Sequence, residues 1–255
     1  MKGSEIKFAR LARAPAYRIV SDAILKEIMD GRLGVGIQLP TEQKLADQFG
    51  VTRSTIREGI RVLEETGMVR RVSGKRLVVS HPSYDSVGDR ISQAMLLHRV
   101  TFRELWEAII AIEPAATALA ASKATPEDLD RITDNLARTR EALSDSRALV
   151  ALDVEFHTLI VRAAGNRAIM LAREAISQLF YPAFEAVLVG VEVAGTRLLA
   201  AHEAIAHAIS NSDVETARKW MERHIADFRK GYELAGIDID RPAELSAIPS
   251  RSDKP

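Results

Sequence analysis

Residues 39–57 read LPTEQKLADQFGVTRSTIR. Thr41 is placed to cap a helix over Glu42–Phe49, and Gly50 stops it, since glycine enters the left-handed region without steric cost. Thr52 caps a second helix that runs to about Thr66, with Gly67 ending it. Ile56, Ile60 and Leu63 share one stripe of that helix, which predicts a core-facing side with Leu45 and Phe49 beneath it. Arg53, Ser54, Thr55 and Arg57 open the other side. Two short helices joined by a tight turn, with basic and hydroxyl side chains at the start of the second, are how a chain presents groups to the DNA major groove.

Outward from this stretch the pattern continues. Ile19, Val20, Ala23, Ile24 and Ile28 give residues 16–31 a helical period closed by a glycine. Residues 68–72 and 76–80 read as two short strands around the turn Ser73-Gly74-Lys75. That hairpin is the expected wing of a helix-turn-helix, with Gly74, Lys75 and Arg76 near backbone phosphates. Thr41 and Lys44, at the start of the preceding helix, are placed to meet phosphates as well. An arginine can bond a guanine in bidentate fashion, and short hydroxyls bond phosphate or bases.

The net charge of zero over 255 residues hides an asymmetry. Residues 1–80 hold 15 Lys+Arg against 9 Asp+Glu, a net of +6, which leaves −6 for the rest. A basic N-terminal part suits a polyanion. Hydrophobic content of 47% with 27% charge predicts a folded chain with room for two moderate cores. There are no cysteines, which excludes disulfides and thiolate metal sites and makes a reducing cytoplasm the natural compartment. No membrane partner is expected, because no apolar run approaches the roughly 20 residues that span a bilayer. The basic start of the chain lacks the apolar centre of a secretion signal.

Beyond residue 84 the periodicity is helical throughout. Helices are expected at 87–98, 102–122, 126–144, 147–164, 167–184, 194–210 and 214–235, with Pro114 and Pro182 as possible kinks. Thr125-Pro126-Glu127-Asp128 and Ser212-Asp213-Val214-Glu215 look like helix starts, with a capping side chain and acids in the first turn. The fold class read from this is mainly α: an N-terminal winged helix-turn-helix followed by an all-helical antiparallel bundle. The expected division is 1–80 for the winged unit, 81–86 for a linker, 87–236 for the helical unit, and 237–255 for a disordered tail.

Asp153 and His157 stand four apart, on one helix face. His202 and His224 lie on the last two expected helices. Four nitrogen and oxygen ligands from three helices suit a divalent ion such as zinc, nickel or manganese. By spacing alone, an Asp-x-x-x-His pair is more often a solvated pair or a core hydrogen bond. His81, His98 and His207 read as linker, surface or ordinary helix positions.

Residues 16–80 resemble the winged-helix domain of the GntR family of bacterial transcription regulators. The matching residues are Leu39-Pro40, Leu45-Ala46, Gly50-Val51, Arg53, Arg57-Glu58, Leu63-Glu64 and Gly67. The resemblance implies that Arg53, Ser54, Thr55 and Arg57 contact an operator. Two positions depart from it: Gln43 stands where Arg is frequent, and Arg76 where a second wing glycine is frequent. The segments 153–157, 164–166 and 202–209, with Ala217, Met221 and His224, resemble the helical effector domain of the FadR subfamily. That resemblance implies a divalent metal held by Asp153, His157, His202 and His224 beside a ligand cavity, with Asn166 near the cavity. The helix at 87–98 favours the seven-helix form. A third departure is Ile109, which stands between Glu107 and Glu113 where an arginine commonly helps hold an effector carboxylate.

The function expected is a homodimeric, ligand-responsive repressor on a pseudo-palindromic double-stranded operator, released by a small organic acid beside the metal. It is not expected to be an enzyme. A metal-dependent hydrolase with an appended winged helix is the alternative from another class. A metal-free sensor of a larger acyl effector is the third.

Overall fold

The computed structural model describes residues 14–73, 76–191 and 193–244. The chain divides into two compact units after Ser83. In the first, α1 (Ala16–Met29), α2 (Glu42–Phe49) and α3 (Arg53–Glu65) precede the strands β1 (Val69–Val72) and β2 (Arg76–Val79). The strands pair antiparallel, with Val69 opposite Val79 and Val72 opposite Arg76. On the other edge of β2, Leu39 donates its N–H to the Leu77 carbonyl and Val79 to that of Ile37, both at 2.9 Å. The segment before α2 is thereby tied to the hairpin.

The caps fall where the sequence puts them. Thr41 accepts from the Lys44 N–H at 3.3 Å and Thr52 from that of Thr55 at 3.2 Å. Gly50 has φ of 64°, a left-handed turn that only glycine enters freely. Val20, Ile24, Leu45, Ile56, Ile60, Leu63 and Val79 are among the residues that close the core. Gly59 lets α1 and α3 cross closely: a Cβ there would lie 2.9 Å from the Tyr17 carbonyl oxygen. Two apolar expectations are corrected. Phe49 is 37% exposed and Ile19 56%, because one helical stripe is enough to fill so small a core.

The second unit begins at Tyr84, so residues 84–86, expected as linker, are the first turn of α4 (Tyr84–Leu97). Then follow α5 (Phe102–Lys123), α6 (Pro126–Glu141), α7 (Ser146–Ala163), α8 (Arg167–Phe180), α9 (Glu185–Gly190), α10 (Ala194–Ser210) and α11 (Val214–Leu234). α5 is the central rod, packed by α7, α8, α10 and α11, while α4 lies along α8. Thr101 with Glu104, and Thr125 with Asp128, form capping boxes at the starts of α5 and α6. Pro114 lies inside α5, which runs on to Lys123. The expected helix 167–184 instead ends at Phe180. A 3-10 turn, Tyr181–Phe184, and the short α9 follow, consistent with Pro182 refusing an intrahelical hydrogen bond.

Among the described residues α5 is the one helix long and apolar enough to cross a membrane. Here its apolar side chains, Leu105, Ile109, Ala116 and Ala120 among them, are the centre of the core. The tail expected to be disordered is partly pinned: Ile239 and Arg241 offer carbonyls to the N–H groups of Arg103 and Phe102 at 2.9 and 3.3 Å. Those are orphan donors of the first turn of α5, and the Arg103–Asp240 ion pair at 2.6 Å closes the contact. Residues 245–255 of that tail lie outside the described residues.

Candidate metal centre and nucleic-acid interface

Asp153 and His157 sit one turn apart on α7, His202 comes from α10 and His224 from α11. Asp153, His157 and His202 are wholly buried and His224 is 4% exposed. Nε2 of His224 lies 3.1 Å from Nε2 of His157 and 3.2 Å from Nε2 of His202. Oδ1 of Asp153 is 3.2 Å from Nε2 of His202, 3.7 Å from that of His157 and 4.0 Å from that of His224. Metal–nitrogen bonds of about 2.1 Å set neighbouring ligands about 3.0 Å apart in octahedral and about 3.4 Å in tetrahedral geometry. The shorter separations match these values, and all four atoms lie within 4.8 Å of one another, close enough to hold a divalent ion.

The hydrogen bonding points the same way. Both carboxylate oxygens of Asp153 are buried without a hydrogen-bond partner, as is Nδ1 of His202. A buried carboxylate with no donor is costly unless a cation compensates it. Burial, and then the neighbouring imidazoles, hold His202 and His224 well below the ordinary histidine range, so both are neutral, as ligands must be. Burial pushes Asp153 up, against the pull of His157 and His224. A cation at this point would reverse that balance.

Behind His157 lies a second layer that the sequence did not disclose. Glu113, from the middle of α5, takes Nδ1 of His157 on Oε2 at 3.3 Å. Its Oε1 accepts from the Tyr181 hydroxyl at 2.7 Å and from Nε of Arg173. Burial alone would raise the Glu113 pKa, but Arg173 and His157 outweigh it and keep the carboxylate ionised. Arg173 is 2% exposed. The available signal was a charge on the apolar stripe of α8, four residues after Ile169 and three before Ile176. Ile109, in place of an arginine on α5, is fully buried and adds no cation. Asn166 is not part of the cluster: its Oδ1 caps α8, accepting from Ala168 and Ile169 at 3.0 and 3.2 Å.

In the first unit, Thr41, Gln43, Arg53, Arg57, Arg71 and Arg76 line one cleft of about 600 Å³. The opening turns of α2 and α3 and the hairpin thus present one basic face. Arg53 is exposed on it; Ser54 and Lys44 are exposed in the first turns of α3 and α2 but do not line the cleft, and Thr55 is half-buried with its hydroxyl 2.9 Å from that of Thr52. Arg57 stands 3.6 Å from Glu42. Arg71, which sequence reasoning passed over, bridges Glu42 at 3.6 Å and Glu64 at 2.9 Å. Gly74 and Lys75, the expected wing contacts, lie outside the described residues.

Residues 16–79 match the model of the gntR family of bacterial regulatory proteins, and residues 104–227 match the FCD domain. The chain belongs to the GntR family. It is 28% identical over 219 residues to the HTH-type transcriptional repressor NanR of Cronobacter sakazakii, covering 84% of each chain. NanR of Salmonella typhimurium is 28% identical over 177 residues, 68% of this chain and 67% of that one. A solved structure of Streptococcus agalactiae GntR is 25% identical, covers 84% of this chain and 99% of its own, and superposes with a TM-score of 0.61. This GntR-family chain is thus a DNA-binding regulator whose FCD domain contains an Asp/His cluster able to hold a metal ion.

Proposed function

We propose that this chain is a repressor that binds a pseudo-palindromic double-stranded operator as a homodimer in the cytoplasm and is released by a small organic acid. Arg53, Ser54 and Arg57 read the major groove, with Thr55 beside them, and Thr41, Lys44 and the hairpin around Gly74 and Lys75 hold phosphates. A winged helix reads few bases, so useful affinity needs two copies on two half-sites. In the FCD domain Asp153, His157, His202 and His224 hold one divalent ion: zinc, nickel or manganese. Such an ion would supply positive charge and Lewis acidity toward the oxygen atoms of an acid. Glu113 fixes the His157 ring, and Arg173 with Tyr181 holds Glu113. The acid shifts the population between operator-binding and released arrangements of the dimer in proportion to its differential affinity for them.

The observation that carries this reading is the carboxylate of Asp153, buried and without a donor, at the meeting point of three imidazoles. The regulator reading is preferred to a hydrolase because the relatives at 28% identity are repressors. The test is elemental analysis of untagged protein, run beside gel-shift assays on DNA from the upstream region of its own gene. One divalent ion per chain is expected, lost in His202→Ala, which still retards DNA. Wild-type protein that takes up no zinc, nickel or manganese, or that fails to retard DNA, would overturn the corresponding half of the proposal.

A further inference from the structure

A hollow of about 690 Å³ lies between the ends of α8 and α11, the short α9 and the segment 237–244. It falls within the usual size of small-molecule sites, roughly 300–1,000 Å³, and shares no residue with the Asp/His cluster. Phe102, Leu179 and Tyr232, all buried, form its floor, and the rings of Phe102 and Tyr232 stack with centroids 3.8 Å apart. The segment 237–244 forms its outer wall. Ala243 donates its N–H to the Val100 carbonyl at 2.8 Å, and Pro242 pairs with Thr101 in an antiparallel bridge. Backbone bonds thus hold the wall in place, and the hollow is preformed.

The polar groups of the lining have one sign. Glu185, Asp238 and Glu244 stand against a single cation, Arg241, which pairs with Glu244. Glu185 and Asp238 form no ion pair among the described residues, so the lining keeps two uncompensated negative charges. Oδ1 of Asp238 accepts the Asp240 N–H at 2.9 Å, which steadies that carboxylate without neutralising it. A separate sign of a ligand comes from Tyr232. It is 4% exposed, yet its hydroxyl makes no hydrogen bond among the described residues. A buried hydroxyl without a partner is costly, and a molecule in the hollow that Tyr232 lines can supply one. Burial pushes the Tyr232 pKa up, so the hydroxyl keeps its proton and offers a lone pair to a donor.

We propose that this hollow binds a small organic cation, a primary amine on an apolar body. The carboxylates of Glu185 and Asp238 hold the ammonium group, the Tyr232 hydroxyl accepts one of its N–H donors, and the body lies against Leu179, Ala186 and Val189. The site is separate from the metal cluster, takes a ligand of the opposite charge to an organic acid, and depends on neither the operator nor the metal reading.

The test is calorimetric titration of the full chain with phenethylamine, 2-phenylethanol and phenylacetate, which share one aromatic body and differ in charge. The amine should bind, the alcohol about tenfold more weakly for want of a charge-assisted hydrogen bond, and the acid most weakly of all. Glu185→Gln and Asp238→Asn should each raise the Kd of the amine by about fivefold or more, and added salt should raise it in wild type. Asp238→Asn keeps an oxygen for the Asp240 N–H, so the wall stays in place. Tyr232→Phe should weaken the amine several-fold while leaving the urea midpoint of the free protein unlowered, because the hydroxyl it removes bonds to nothing there. Glu141→Gln, at the end of α6 and outside the hollow, should match wild type. Equal affinity for amine and alcohol would overturn the site. So would amine binding that survives the double substitution E185Q/D238N, or the absence of any heat with millimolar amine.

Discussion

Oε2 of Glu113 and Nδ1 of His157 lie 3.3 Å apart, joining the central helix α5 to the helix that carries half of the metal cluster. An ionised carboxylate only accepts, so Nδ1 bears the proton and Nε2 presents its lone pair to the cluster. Glu113→Gln should therefore weaken metal binding by about 10–100-fold, the usual effect of losing such a support. Competition titration with a chromophoric chelator measures it. Unaltered affinity in a folded variant would show that the bond does not orient the ligand.

The same carboxylate faces Arg173 in the dry interior. Arg173→Met leaves the buried Glu113 carboxylate without its guanidinium, held only by the Tyr181 hydroxyl and His157, and removal of one partner of a buried ion pair costs about 3–5 kcal/mol. The double variant R173M/E113Q should recover part of that loss, because no lone charge remains. Urea unfolding of the four proteins closes the cycle. Strictly additive losses would mean that the two side chains do not interact.

Stability should also respond to pH with a definite sign. Burial holds His202 and His224 well below their ordinary value, whereas unfolding returns each to about 6.5. Below that pH the unfolded chain takes up protons that the folded chain refuses. Stability is then present above about pH 6.5 and is lost as pH falls, by up to about 1.4 kcal/mol per pH unit for each imidazole. Asp153 acts in the opposite sense, since burial raises its pKa and the folded state protonates first. One carboxyl against two imidazoles leaves a net loss. Metal-free protein should therefore melt at lower temperature at pH 5 than at pH 7.5, and bound metal should move the loss to lower pH. A melting temperature that rises on acidification would refute this account.

On the DNA side, Arg53→Ala and Arg57→Ala should each weaken operator binding by about 1–3 kcal/mol if each arginine makes a bidentate bond to a base. Arg57 leaves Glu42 only 3.6 Å away, so Glu42→Gln should change affinity as well, through the freedom of Arg57. Gel-shift titration of folded variants decides this. Equal affinity for wild type, R53A and R57A would remove the start of α3 from the interface.

Much of this protein was legible in its sequence because the deciding signals are local. The caps at Thr41 and Thr52 and the turn at Gly50 act within a few residues of themselves, so the helix-turn-helix follows from composition and spacing. The pairing of Asp153 with His157 on one face follows from the period of a helix alone. Other features depend on which surfaces pack. Phe49 and Ile19 have the pattern of core residues and are exposed, because the small core was already filled. The 3-10 turn after Phe180 and the seating of residues 238–243 beside the start of α5 depend on partners far away in sequence. The role of Arg173 does too, since nothing within its own helix marks it as the counter-ion of Glu113 sixty residues earlier. Spacing paired Asp153 with His157 and the family resemblance joined His202 and His224 to them, but only the packing of α10 and α11 against α7 brings those two histidines within reach of the pair. Burial then strips those groups of water, and that makes them a cluster able to hold a cation rather than a set of solvated side chains.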